Sequence, residues 1–381
     1  MNSRIPRQAT LPVIDALRGL AAVAVLLFHV RVNLWVGWTA IWSNPDRYSI
    51  CDRCLSLLSL PAPLFGSGVM LFFVISGYCI HRPFASGANL AVAGYAWRRA
   101  WRIVPVYWAA IVFTIVVELT LHLLRAQAVS PMIIVWKSLA MIQNYGTESG
   151  QLSANPSLWS LPVEVELYIV YPALLCLWRT PRAKYALLVV ACITAVGCWL
   201  SVVGYAWANG NFMKYWAVWT GGAWLAEMEA TDRLPSRPWF VMVSIGAVAV
   251  VCATICIPGL HGLQHLSWGG FWFCILYWCL VARLPSSGFI GMTMHGWAIV
   301  GGISYSLYLI HFPLFCFVGA LWIQQFGTKP SNYVVSLAAV VGAIPCAWLF
   351  HYLFEKPAHE IARRRPQVFR GIPSQPTIEP T

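Results

Sequence analysis

Ten stretches of this chain are apolar and long enough to cross about 30 Å of hydrocarbon, and that pattern leaves few folds open. They fall at residues 11–34, 64–81, 103–124, 162–178, 185–205, 212–229, 239–257, 267–283, 297–322 and 332–355. Of the 381 residues, 59% are hydrophobic and 10% are charged, where soluble domains usually carry about 25% charged residues. In lipid, backbone N–H and C=O groups must bond internally, so runs of this length fold as helices. The expectation is an all-α integral membrane protein with about ten transmembrane helices. An eleventh apolar segment, 131–143, is too short to span and contains Lys137, which suits a re-entrant or interfacial piece.

The membrane domain should occupy residues 1–365, and the polar, Pro-rich tail 366–381 should be disordered. The N-terminus runs from MNSRIPRQAT into apolar sequence without a small-residue cleavage site, so it reads as a retained first span and not a signal peptide. No internal repeat of the kind found in many secondary transporters is apparent.

A net charge of +12 would suit nucleic acid, but the basic residues form short clusters between apolar runs and not a continuous stripe. Orientation accounts for them better. With ten crossings and both termini cytoplasmic, the outside receives only Arg31, Arg47, Arg53, Arg125, Lys214 and Lys329, and Lys137 stays with the short segment. The rest of the 25 basic residues fall inside, as the positive-inside rule requires, which places the protein in the cytoplasmic (inner) membrane. Ten of the 12 cysteines lie in or beside apolar runs, where Cys is a small hydrophobe. Cys51 and Cys54, in CDRC, read as a loop disulfide or two free thiols before a zinc site.

Ionisable side chains inside spans are costly and mark functional sites. The first span, IDALRGLAAVAVLLFHV, holds Asp15, Arg18 and His29. Eleven residues separate Arg18 from His29, which returns to nearly the same helix face about 16 Å further on. That face is expected to line a water-accessible passage. In RRAWRIVPVYW, Arg98, Arg99 and Arg102 crowd one span end; a positive-inside anchor is the plain reading, and phosphate binding by guanidinium groups the functional one. In SLWSLPVEVELY, Glu164 and Glu166 lie about 200° apart, so one should be functional and the other interfacial. His311 lies mid-span, either lining the same passage or bonded to a neighbouring helix. His81 and His351 read as interfacial. Among the tryptophans, Trp35, Trp38, Trp42 and Trp159 near the outer side could stack on sugars, although interfacial Trp belts are common. No GxSxG elbow or phosphate-binding GxxxxGK[ST] loop is present.

Taken together, IDALRGLAAVAVLLFH, FFVISGY, RRAWRIVPVYW, SLWSLPVEVELY and ISYSLYLIHFPL resemble the membrane acyltransferase 3 family, and the likeness runs from the first span to the last. The family includes acetylases of cell-surface polysaccharides and acylases of macrolide antibiotics. The resemblance implies an O-acyltransferase that moves an acyl group, often acetyl from acetyl-CoA, to a hydroxyl of a glycan or lipid-linked saccharide. By position, Arg18 matches the arginine of the family's R-G motif, His29 its first-span histidine, Arg99 and Arg102 its R-x-x-R pair, and Glu164 the glutamate of its S-L-x-x-E word. Relatives often have an uncharged residue at the position of Glu166. The resemblance is to stand-alone members, so either the membrane domain performs the whole reaction or a separate extracytoplasmic partner completes it.

These readings assign His29 as base and Glu164 as the group orienting it or the acceptor. Arg18, Arg99 and Arg102 hold the acyl-CoA donor, with Asp15, Arg98 and His311 in support. No metal or permanently bound cofactor is expected. Transfer to a small metabolite such as a macrolide sugar, or transport without chemistry, are the alternatives.

Overall fold

The computed structural model describes residues 11–85, 87–124, 126–146, 150–180, 183–282 and 288–364. The tail 366–381 lies outside the described residues, as do Arg4, Arg7, Arg125, Arg182, Arg283, Arg365 and Arg370. The described residues are helical, without strands. The chain opens with α1 (Leu11–Asn33), followed by two short helices, α2 (Trp38–Ser43) and α3 (Ile50–Ser56), and then α4 (Gly68–His81). Next come α5 (Val92–Leu123), the short α6 (Met132–Leu139), α7 (Ser160–Trp178) and α8 (Ala183–Val203). The second half contains α9 (Phe212–Ala230), α10 (Arg237–Cys256), α11 (Gln264–Ala282), α12 (Gly288–Gly302), α13 (Ser304–Phe326) and α14 (Tyr333–Phe350). A π turn at His351–Glu355 leads into α15 (Lys356–Arg363).

Nine helical segments among the described residues are long and apolar enough to cross a membrane. A tenth, α9, has the length but contains Lys214, Glu227 and Glu229. It packs along α4 through a pair of glycines. A Cβ on Gly77 would stand 1.9 Å from the Trp219 carbonyl oxygen, and one on Gly222 would stand 1.8 Å from that of Val74. Apolar side chains gain little by leaving lipid for each other, so membrane helices associate through small residues that let backbones touch. The second such contact joins α1 to α12, where a Cβ on Gly301 would stand 1.8 Å from the Asp15 carbonyl oxygen.

Pairs of touching residues give the directions. Gly301 meets Asp15, His311 meets His29 and Gly319 meets Asn33, so α12 and α13 follow α1 the same way. Gly66 meets Phe28 while Gly68 meets Ala21, so α4 returns against α1. Phe73 with Tyr215, Ser76 with Trp219 and His81 with Glu227 set α9 parallel to α4. The bundle thus has a near end, where α1 begins, and a far end, where α1 finishes and α4, α7 and α9 begin.

The observed boundaries correct several expected ones. The run 297–322 is broken at Ile303 (φ −107°, ψ 7°), and helix begins earlier, at Gly288. Regular α-helix in the second span starts at Gly68, after a 3₁₀ stretch at Ala62–Ser67 rich in Pro and Gly. The third span starts at Val92, so Arg98, Arg99 and Arg102 stand well inside a helix and not at its edge. The segment expected to be re-entrant or interfacial contains α6, which is only eight residues long. Its Leu139 carbonyl accepts from the Trp108 indole of α5.

Candidate active site

His29 of α1 and His311 of α13 meet with Nδ1 of the first 2.9 Å from Nε2 of the second, and their rings stack at 5.1 Å. This contact follows from the parallel run of α1 and α13, which keeps the two helix faces in register. His311 is fully buried, and its Nδ1 lies 2.7 Å from the Tyr308 carbonyl oxygen. A carbonyl only accepts, so Nδ1 of a neutral His311 holds the hydrogen and its Nε2 presents a lone pair. His29 must then donate from Nδ1, which leaves its own Nε2 unprotonated. That is the form a general base needs. Phe28 and Phe312 set their ring edges against His29, and His29 keeps partial exposure.

Glu164, at the start of α7, points to α4. Its carboxylate accepts from Ser76 Oγ at 3.1 Å and from the Tyr168 hydroxyl one turn on. The Trp219 indole of α9 donates to Ser76 at 3.2 Å. The expected contact between Glu164 and His29 is not made: the Glu164 carboxylate is taken up by Ser76 and Tyr168, and His29 meets His311 instead. Arg99 joins the Glu164 group: its guanidinium lies over the rings of Tyr95 and Tyr168 at 5.9 and 5.8 Å.

Toward the near end, Arg18 pairs with Asp15 at 3.5 Å, and both side chains are about one-fifth exposed (20% and 22%). Arg102 lies within electrostatic reach of Asp15 and, with Arg18, of Cys79. Arg99 and Arg102 remain within electrostatic reach of each other and of Cys79. Arg102 faces Arg18 and Asp15, while Arg99 turns in beneath Tyr168. Arg98 is half-buried with its guanidinium against Gly94, one turn back on α5.

Other sequence expectations also shift. Glu166 accepts from the Tyr145 hydroxyl and the Phe212 N–H, both at 2.8 Å, and so anchors the start of α9. His81 is not interfacial: it is buried, bonded to Glu227 at 2.9 Å and to Tyr171 at 3.2 Å. His351 bonds at 2.9 Å to Glu355, which reads in sequence only as the end of the last span. Glu355 is buried and also accepts from Ser306 at 2.6 Å. Glu118, likewise buried, accepts from Ser130 and the Ala154 N–H and pins the 130–154 connection to α5. Sequence reasoning missed Ser76, Tyr168, Tyr308 and Glu118; the one available signal was the i, i+4 spacing of Glu164 and Tyr168. Cys51 and Cys54 are both free and exposed. Among the described residues no three His, Cys, Asp or Glu side chains converge to hold a metal.

A sequence model of the acyltransferase domain family matches residues 11–352, which takes in every group of this site except Glu355. The chain belongs to that family. Among its relatives, the Bacillus subtilis (strain 168) protein YrhL is 24% identical over 91% of this chain and 54% of its own length. The peptidoglycan O-acetyltransferase OatA of Listeria monocytogenes is 23% identical over 80% of this chain and 49% of its own. The O-acetyltransferase OatA of Staphylococcus aureus (strain NCTC 8325 / PS 47) is 26% identical over 82% and 52%. The chain spans about half the length of these curated relatives. No solved structure matches it.

Proposed function

We propose that this chain is a membrane O-acyltransferase that moves acetyl from acetyl-CoA to a hydroxyl of a cell-surface glycan of the peptidoglycan type. The tautomer relay from Tyr308 through His311 to His29 carries this reading, because it leaves a lone pair on a half-buried imidazole on the same helix as Arg18. The near end faces the cytoplasm of the inner membrane in this proposal. Arg18 and Arg102 take the donor phosphates there, since planar guanidinium groups pair bidentately with phosphate oxygens, and Asp15 holds Arg18 in place. The roughly 16 Å from Arg18 to His29 is comparable with an extended pantetheine arm.

His29 Nε2 removes the acceptor hydroxyl proton as the oxygen attacks the thioester carbonyl carbon. The C–S bond breaks, the proton passes from His29 to the leaving sulfur, and free CoA and the ester result. Glu164 acts one layer nearer the cytoplasm by fixing Tyr168, with Arg99 stacked on its ring. Arg98 and His311 support the site through α5 and the His29 ring. Comparing surface glycans of cells with and without the gene by mass spectrometry tests the reading. An acyl-sized mass difference is expected. Identical glycans with altered substrate movement across the membrane would instead favour the transport alternative.

A further inference from the structure

At the far end of the bundle a cleft of ≈ 320 Å³ opens among Gln143, Asn144, Gln151, Trp159, Asn209 and Tyr215. We infer that this cleft binds a neutral saccharide segment of the acceptor, an inference that rests on the proposed function and names the substrate class. The first argument is the lining itself. Among the described residues it contains amides, glycines, an alanine and aromatic rings, with no Asp, Glu, Lys or Arg. Amides offer donors and acceptors side by side, as sugar hydroxyls and acetamido groups require. A phosphate or nucleotide would find no countercharge in that lining.

The second argument is unspent hydrogen-bonding capacity. The Oε1 atoms of Gln143 and Gln151 are buried without a partner among the described residues. Buried polar atoms in folded proteins are nearly always bonded, and a carbonyl oxygen can be satisfied only by a donor such as a sugar O–H or an acetamido N–H. The walls are nevertheless fixed. Asn144 donates to the Trp159 and Gly210 carbonyls, Gln151 donates to Asn144 at 2.8 Å, and Gln143 donates to the Tyr107 hydroxyl at 2.8 Å. Asn209 is held by Lys214 at 2.9 Å. Trp159 remains partly exposed and offers an apolar face to a sugar ring. The Trp159 ring packs on Phe73 and Tyr215 from the protein side.

The third argument is position. The wall at 157–160 is bonded to the reactive centre, because the Tyr308 hydroxyl donates to the Ser157 carbonyl and meets Ser160 Oγ, both at 2.7 Å. Tyr308 is the residue whose carbonyl sets the His311 tautomer. The segment carrying Trp159 is thus tied to the element that sets His29, and the cleft lies at the end of the bundle opposite the donor arginines.

The test uses the purified full chain in nanodiscs with chitotetraose, read by saturation-transfer NMR and titration. Gln151→Leu removes an acceptor oxygen together with the amide N–H that holds Asn144. Ala206→Trp fills the cleft from an exposed lining position and disturbs no hydrogen bond. Each should weaken chitotetraose binding at least tenfold and raise the acceptor KM at least fivefold, with the donor KM unchanged. Binding that neither variant alters, or no binding by the wild type at millimolar sugar, overturns the inference. The His29→Ala protein should bind the sugar normally and transfer about 10²–10⁴-fold more slowly. Cleft-dependent binding by a wild type that transfers no acyl group would sink the enzymatic reading and leave the saccharide site standing.

Discussion

His29 shows how a side chain's role is set by the atom next to it. Its base-competent nitrogen exists because His311 is locked by the Tyr308 carbonyl, and none of the three positions announces this alone. Replacing His29 by Ala should lower transfer by about 10²–10⁴-fold while the protein still inserts; unchanged acyl incorporation in the variant would remove His29 from the chemistry. His311→Ala leaves a ring nitrogen unsatisfied, at a cost of about 1–3 kcal/mol. That converts to about a 5- to 150-fold loss, expected in kcat with KM little changed, and with partial recovery in His311→Gln, which keeps an acceptor. For the donor side, Arg102→Ala should raise the donor KM several-fold more than the acceptor KM. Steady-state kinetics with each substrate varied in turn checks both statements.

Among the elements, the α4–α9 pair depends on two glycines whose absent side chains let the backbones touch. Gly222→Ala pushes a methyl group onto the Val74 carbonyl and should cost about 1–3 kcal/mol through overpacking. The cost should appear as a lower unfolding temperature in detergent. Gly246→Ala, on α10 with nothing within 4 Å, is the control and should be neutral or slightly stabilising. A substitution at Gly222 that melts like the control would show that the interface can open. Gly77, in the LFFVISGY run of α4, is one of the two glycines that let α4 touch α9. The partner helix α9 mixes Lys214, Glu227 and Glu229 into apolar sequence, and only its neighbours explain those charges. Glu227 meets His81, and Glu229 meets Tyr78 and Arg82.

For the molecule as a whole, the proposal assigns the donor to one end and the acceptor to the other, so sidedness becomes a measurable property. Cys51 and Cys54 are exposed on α3 at the far end. In intact cells, a chain retaining only these two thiols should react with a membrane-impermeant maleimide. Labelling only after the membrane is opened would reverse the orientation and move the donor arginines to the wrong side.

The run lengths and charge content of the sequence by themselves determined an all-helical membrane protein, because hydrocarbon leaves an uncovered backbone no other solution. They also located Asp15, Arg18, His29, Arg99, Arg102 and Glu164, because ionisable groups stand out against apolar surroundings. Which of these groups meet was decided by tertiary structure alone. Partnership across helices depends on the direction and offset with which α1 follows α13 and α4 follows α9, and one-dimensional periodicity fixes a face of each helix without saying what lies opposite. So His29 found His311 and not Glu164, Arg99 came to lie over Tyr168, and Gln143 and Gln151, unremarkable in order along the chain, joined Trp159 in one cleft.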